Sequence, residues 1–100
     1  MPNQPNQPNE QQIQLKFTDE AIRGVYANLV QSQFNKEEFV LDFINLFQPL
    51  ATLNARVIMS PAHVKRLAAL LASGIANYEK QFGVVEPSKE QEGAIGFHTS

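Results

Sequence analysis

Asp42 is the carboxylate set inside an otherwise apolar run, Phe39-Val-Leu-Asp-Phe-Ile-Asn-Leu-Phe47. Burying an ionised carboxylate without a partner is costly, so this position demands a compensating group. Arg56 lies in the next β-prone stretch and is the expected partner, with Asn28 as a further donor. A carboxylate in such a setting could serve as a general acid or base if its pKa were raised. A strand-positioning ion pair is the stronger expectation, because such pairs perturb carboxylates without any catalysis. A second cluster, His63, Lys65 and Arg66, crowds one turn. If that turn opens a helix, the cations oppose the helix dipole and do not serve helix stability. They could instead hold a phosphate or carboxylate against the free N–H groups, or simply face solvent.

Other chemistries are poorly supported. His63 and His98 are the histidines and there are no cysteines, so no metal-ligating set forms and no disulfide is available. The serines lack a base and an orienting acid at recognisable spacing, and there is no phosphate-cradling glycine loop. No catalytic residue, metal or cofactor is expected, and the chain does not read as an enzyme.

The elements that must position these residues can be read from local signals. Val64, Leu67, Leu71, Ile75, Tyr78 and Phe82 recur every three or four residues and predict one apolar helix face over Pro61–Phe82. Ser60 is a good N-cap, Pro61 suits the first helical position, and Gly83 stands where a C-cap glycine belongs. Upstream, Asn54–Ser60 reads as a short strand and Gln12–Phe17 alternates polar and apolar residues without a fault. Ala21–Phe34 fits either period. Gly24 would weaken a helix there, so it is read as a strand with a bulge. Asn35-Lys36 then turns the chain into the strand that starts at Glu38 and ends at Phe47, and residues 48–53 form a loop marked by Pro49. The expected fold is α+β: an antiparallel β-meander of about four strands packed on one long C-terminal helix.

The second strand of that hairpin is apolar on both sides. Phe39, Leu41, Phe43 and Phe47 occupy one parity; Val40, Ile44 and Leu46 the other. A strand with one solvated face should alternate cleanly, and one helix covers one face. A second copy of the chain is the expected cover, with Leu29, Val40, Ile44 and Leu46 at the interface of a dimer or tetramer. A domain this small, without disulfides or metals, commonly gains stability by oligomerising.

The ends differ in kind. Residues 1–11 repeat Asn, Gln and Pro with nothing to bury after Met1, predicting a disordered arm. Residues 12–83 form the single domain, and 84–100 a polar, flexible tail ending in Gly93-Ala-Ile-Gly-Phe97, a candidate docking segment for a larger protein. The formal net charge is −2, carried mostly by the ends. The near-neutral domain lacks the basic footprint of a nucleic-acid partner. No apolar run is long enough to span a membrane, and Met1-Pro-Asn-Gln lacks the regions of a signal peptide, so a cytoplasmic location is expected.

Four spaced blocks carry a family resemblance: Gln14-Leu-Lys-Phe-Thr-Asp-Glu20, Gly24-Val-Tyr-Ala-Asn28, Glu37-Glu-Phe-Val-Leu-Asp-Phe43 and Arg56-Val-Ile-Met-Ser-Pro61. Across roughly 11–83 the chain resembles an uncharacterised family of short bacterial and archaeal proteins known as domain of unknown function 3467. That resemblance implies a compact strand-rich domain closed by a helix, and brings no activity, cofactor or catalytic residue. In order of elements the chain also resembles the export chaperone SecB, an analogy at the level of fold. The expectations that follow are a non-enzymatic homo-oligomeric binding or adaptor protein with chaperone-like use of exposed apolar grooves, or else a small anion-binding protein built on His63, Lys65 and Arg66.

Overall fold

A computed structural model describes residues 12–89. In chain order they form α1 (Asp19–Arg23), β1 (Leu29–Phe34), β2 (Phe39–Phe47), β3 (Leu50–Met59) and α2 (Pro61–Phe82). The fold is α+β, and the strands make one antiparallel meander of order β1-β2-β3. The sheet has three strands, not four. Gln12–Phe17 has the alternation of a strand but no ladder partner among the described residues, and Ile13 and Leu15 are 93% and 84% exposed. The arm 1–11 and the candidate docking residues 94–97 lie outside the described residues.

Ala21–Phe34 is not one strand. Thr18 accepts a hydrogen bond from the Ala21 N–H at 3.0 Å and caps α1, whose first turn carries Asp19 and Glu20. Gly24 ends α1 with φ 79°, so its freedom serves a helix end and not a bulge. The predicted turn at Asn35 is present: its side-chain oxygen accepts from the Glu37 and Glu38 N–H groups, fixing the link from β1 to β2. The stretch 48–53, expected as a loop, is mostly strand. Gln48 and Pro49, joined by a cis bond, turn the chain, and Leu50 already pairs with Phe47.

The register fixes the two sheet faces, because directly opposite residues share a face. Leu29 pairs with Ile44, and Asp42 with Arg56. Val40, Asp42, Ile44 and Leu46 therefore line one face, with Leu29 and Arg56 beside them. Phe39, Leu41, Phe43, Asn45 and Phe47 line the other, joined by Val30 and Phe34 from β1 and by Leu50 and Val57 from β3. A register shift between Phe43 and Ile44 inserts Asn54 as an extra residue on β3. Only Leu41 and Ile44 are buried apolar residues among those described, and Ile44 is 1% exposed.

The long helix has the expected bounds. The Ser60 hydroxyl accepts from the His63 N–H at 3.2 Å, and Gly83 closes the helix with φ 95°. Its expected packing on the sheet is absent. α2 has no buried residue; Val64 and Leu67 near its start are half-buried, while Leu71, Ile75, Tyr78 and Phe82 are exposed. Among the described residues, the helix stripe and most of one sheet face are therefore left uncovered.

Candidate functional site

Adjacent strands bring Asp42 and Arg56 together. Arg56 Nε lies 2.7 Å from Asp42 Oδ1 and a terminal guanidinium nitrogen 2.9 Å from Oδ2, a bidentate pair. Asp42 is 2% exposed, whereas half of the Arg56 side chain reaches solvent. The Arg56 hydrogen bonds hold the Asp42 carboxyl below its usual value against the opposing effect of burial, and the guanidinium's charge adds to the lowering. In turn, the Asp42 carboxylate raises the Arg56 pKa. A carboxylate held ionised by accepting on both oxygens from one guanidinium fork is poorly suited to take or give a proton near neutral pH. The pair pins β2 to β3.

Asn28 does not join the pair. Its amide oxygen accepts from the Leu46 N–H at 2.8 Å and its amide nitrogen donates to the Leu46 carbonyl at 3.0 Å. The side chain thus imitates one more residue of the β1–β2 ladder. Asn54, the inserted residue, donates to the Tyr26 carbonyl at 2.7 Å, so the segment before β1 reaches across the middle strand to β3. Neither role was visible in composition or periodicity, since both depend on nonlocal pairing.

Leu29, Val40, Ile44 and Leu46 share the face that carries the ion pair. Ile44 is covered within the single chain, and the other three are half-buried. The larger exposed apolar area lies on the opposite face, where Phe34 is 74% exposed and Phe47, Leu50, Val30 and Val57 are open too. Phe34 and Phe39 stack there with ring centroids 5.2 Å apart. The Asn45 side-chain oxygen on the same face is buried without a hydrogen-bond partner among the described residues.

His63 and Arg66 line a shallow concavity of about 650 Å³ with Met59, Leu67, Ala69 and Leu70; Lys65 is not among its lining residues. Pro61 lacks an N–H and Ser60 occupies that of His63, so the fan of free donors that an anion needs is reduced. A second, more apolar groove of about 860 Å³ runs along α2 between Leu70, Leu71, Ile75, Tyr78 and the returning residues Val85 and Pro87. Part of the tail is thus tied down: Val85 N–H donates to a Glu79 carboxylate oxygen at 3.0 Å.

No cluster of three or more His, Cys, Asp or Glu able to hold a metal occurs among the described residues, and no helix there is long and apolar enough to cross a membrane. A family model described as a protein of unknown function (DUF3467) matches residues 1–87, a wider span than the resemblance over 11–83 implied. No curated protein and no solved structure matches the chain.

Proposed function

This chain belongs to the DUF3467 family, and since membership in a family of unknown function brings no activity with it, we propose that it is a non-enzymatic, homo-oligomeric binding or adaptor module. One observation carries the reading: α2 is a 22-residue helix with no buried residue and a continuous apolar stripe. A helix of that length spans about 33 Å, and the ten residues of β3 span about the same distance. The stripe and the Phe-rich sheet face are both uncharged, and they match in length. In one chain neither covers the other. Their exposed apolar side chains together present on the order of 1,000 Å², so two copies burying them reach the roughly 1,200–2,000 Å² of a stable interface.

Leu29, Val40 and Leu46 on the opposite face are secondary candidates for contact, consistent with a dimer or a tetramer. Sedimentation velocity at micromolar concentration tests the reading directly. A species of two or more chains is expected; a monomer of 11.2 kDa would remove its physical basis.

A further inference from the structure

We propose that Gln12–Phe17 of one copy adds as an outer strand to β1 of a second copy, completing a four-stranded sheet from two chains. This rests on the homo-oligomeric reading above and names the contact that reading leaves open. The donor is a six-residue segment with Ile13, Leu15 and Phe17 on one parity and Gln12, Gln14 and Lys16 on the other, and it has no ladder among the described residues. Such alternation is the pattern of a strand with one face buried.

The acceptor is the outer edge of β1, the first strand of the order β1-β2-β3, which no other strand among the described residues pairs. Exposed edges are normally blunted by charge, proline or a bulge, since unpaired N–H and C=O groups recruit further strands. β1, Leu29-Val-Gln-Ser-Gln-Phe34, carries none of these, and its register with β2 is unbroken. The opposite edge, β3, is blunted by the inserted Asn54 and by Arg56.

The patterns also agree. β1 puts Gln31 and Gln33 on the ion-pair face and Val30 and Phe34 on the Phe-rich face. Laid beside it, Gln14 and Lys16 meet the glutamines, while Ile13 and Phe17 meet Val30 and Phe34. A parallel strand makes this match at full overlap, residue 12 opposite 29, and an antiparallel one makes it in the register that sets 13–17 against 34–30; in both registers Leu15 falls opposite Ser32. The added strand widens the apolar face that the partner's α2 would cover.

The chain has no cysteine, so after Leu15→Cys and Ser32→Cys are introduced singly every disulfide joins introduced thiols, and a heteropair is told from either homopair by mass. Mixed and mildly oxidised, the two single variants of the full chain are expected to form a disulfide-linked heteropair, and Gln14→Cys mixed with Ser32→Cys, on opposite faces, far less of one. Hydrogen exchange on the unmodified protein should show the 12–17 amides slowed at least tenfold against their unstructured rates. An oligomer with no heteropair and unstructured exchange rates at 12–17 would overturn the strand exchange and leave the oligomeric reading standing. A link formed only within one chain carrying both substitutions would overturn it too. A monomer by sedimentation would remove both.

Discussion

Asp42 and Arg56 face each other across β2 and β3 through two short hydrogen bonds, with the carboxylate nearly sealed from solvent and the guanidinium half in it. Such a pair is asymmetric in its consequences. Removing the arginine leaves a buried charge without compensation, whereas replacing both partners by neutral groups leaves none. Arg56→Met is therefore expected to destabilise the fold more than the double change Asp42→Asn with Arg56→Met, as read from urea midpoints at neutral pH.

The same pair sets a dependence on pH. The folded pKa of Asp42 is lowered from 3.8. The stability it contributes is present above that unfolded value and lost as pH falls through the lower folded one. Urea midpoints taken from pH 6 downward should fall below about pH 4 more steeply in the wild type than in Asp42→Asn. Parallel profiles would mean that the pair does not couple folding to protonation.

Asn28 closes the open end of the β1–β2 ladder with both edges of its amide. Asn28→Ala should cost about 2 kcal/mol, roughly 1 for each of the two hydrogen bonds it removes. Asn28→Asp should cost more, because it loses the donor and sets a carboxylate against the Leu46 carbonyl. Chemical denaturation of the two variants, compared at pH 7, decides the order.

Much of the fold was legible where its signals are local. Ser60, Pro61 and Gly83 bracket α2 within a residue, because capping is decided by the residues at the helix end. The turn at Asn35 was legible for the same reason. α1 is not legible as a helix although Thr18, Asp19 and Glu20 mark its start, because five residues are too few to show a helical period. Leu50–Leu53 reads as loop because Pro49 precedes it, whereas Pro49 sits in the turn and the strand starts directly after it. The Asp42–Arg56 pair followed from the cost of burying a carboxylate. The amide roles of Asn28 and Asn54 did not, since nothing local specifies their partners. An apolar helix face predicts that something covers it, and is silent on which chain does so; that is why the packing of α2 on its own sheet was expected and is not found.

The ends of α2 give a test that is independent of assembly chemistry. Ser60→Ala removes the acceptor for the His63 N–H and should cost about 1 kcal/mol. At Gly83 a new Cβ meets nothing within 4 Å, so the cost of Gly83→Ala comes from the backbone alone, φ 95° with ψ 170°, a region essentially reserved for glycine, and should be about 1–3 kcal/mol. The two sites are a helix apart, and their effects should add in the double variant. Thermal or urea denaturation of the three variants checks the sum.

Phe82 and Phe34 separate a lone chain from an assembled one. Phe82 is 70% exposed at the end of α2, where its ring lies 5.0 Å from that of Tyr78, and Phe34 is 74% exposed on the sheet. In an isolated molecule, replacing so exposed a ring by serine should change stability by no more than about 1.5 kcal/mol, the worth of the ring pair that each one makes. If a second copy covers both surfaces, each truncation opens a gap in an interface core, where losing a phenylalanine costs about 3–5 kcal/mol. Even half of that weakens association more than tenfold. Phe34→Ser and Phe82→Ser are thus expected to raise the dissociation constant at least tenfold by sedimentation equilibrium, with the far-ultraviolet circular dichroism of the folded chain retained. Equal association in wild type and both variants would place the contact on the other sheet face, with Leu29, Val40 and Leu46.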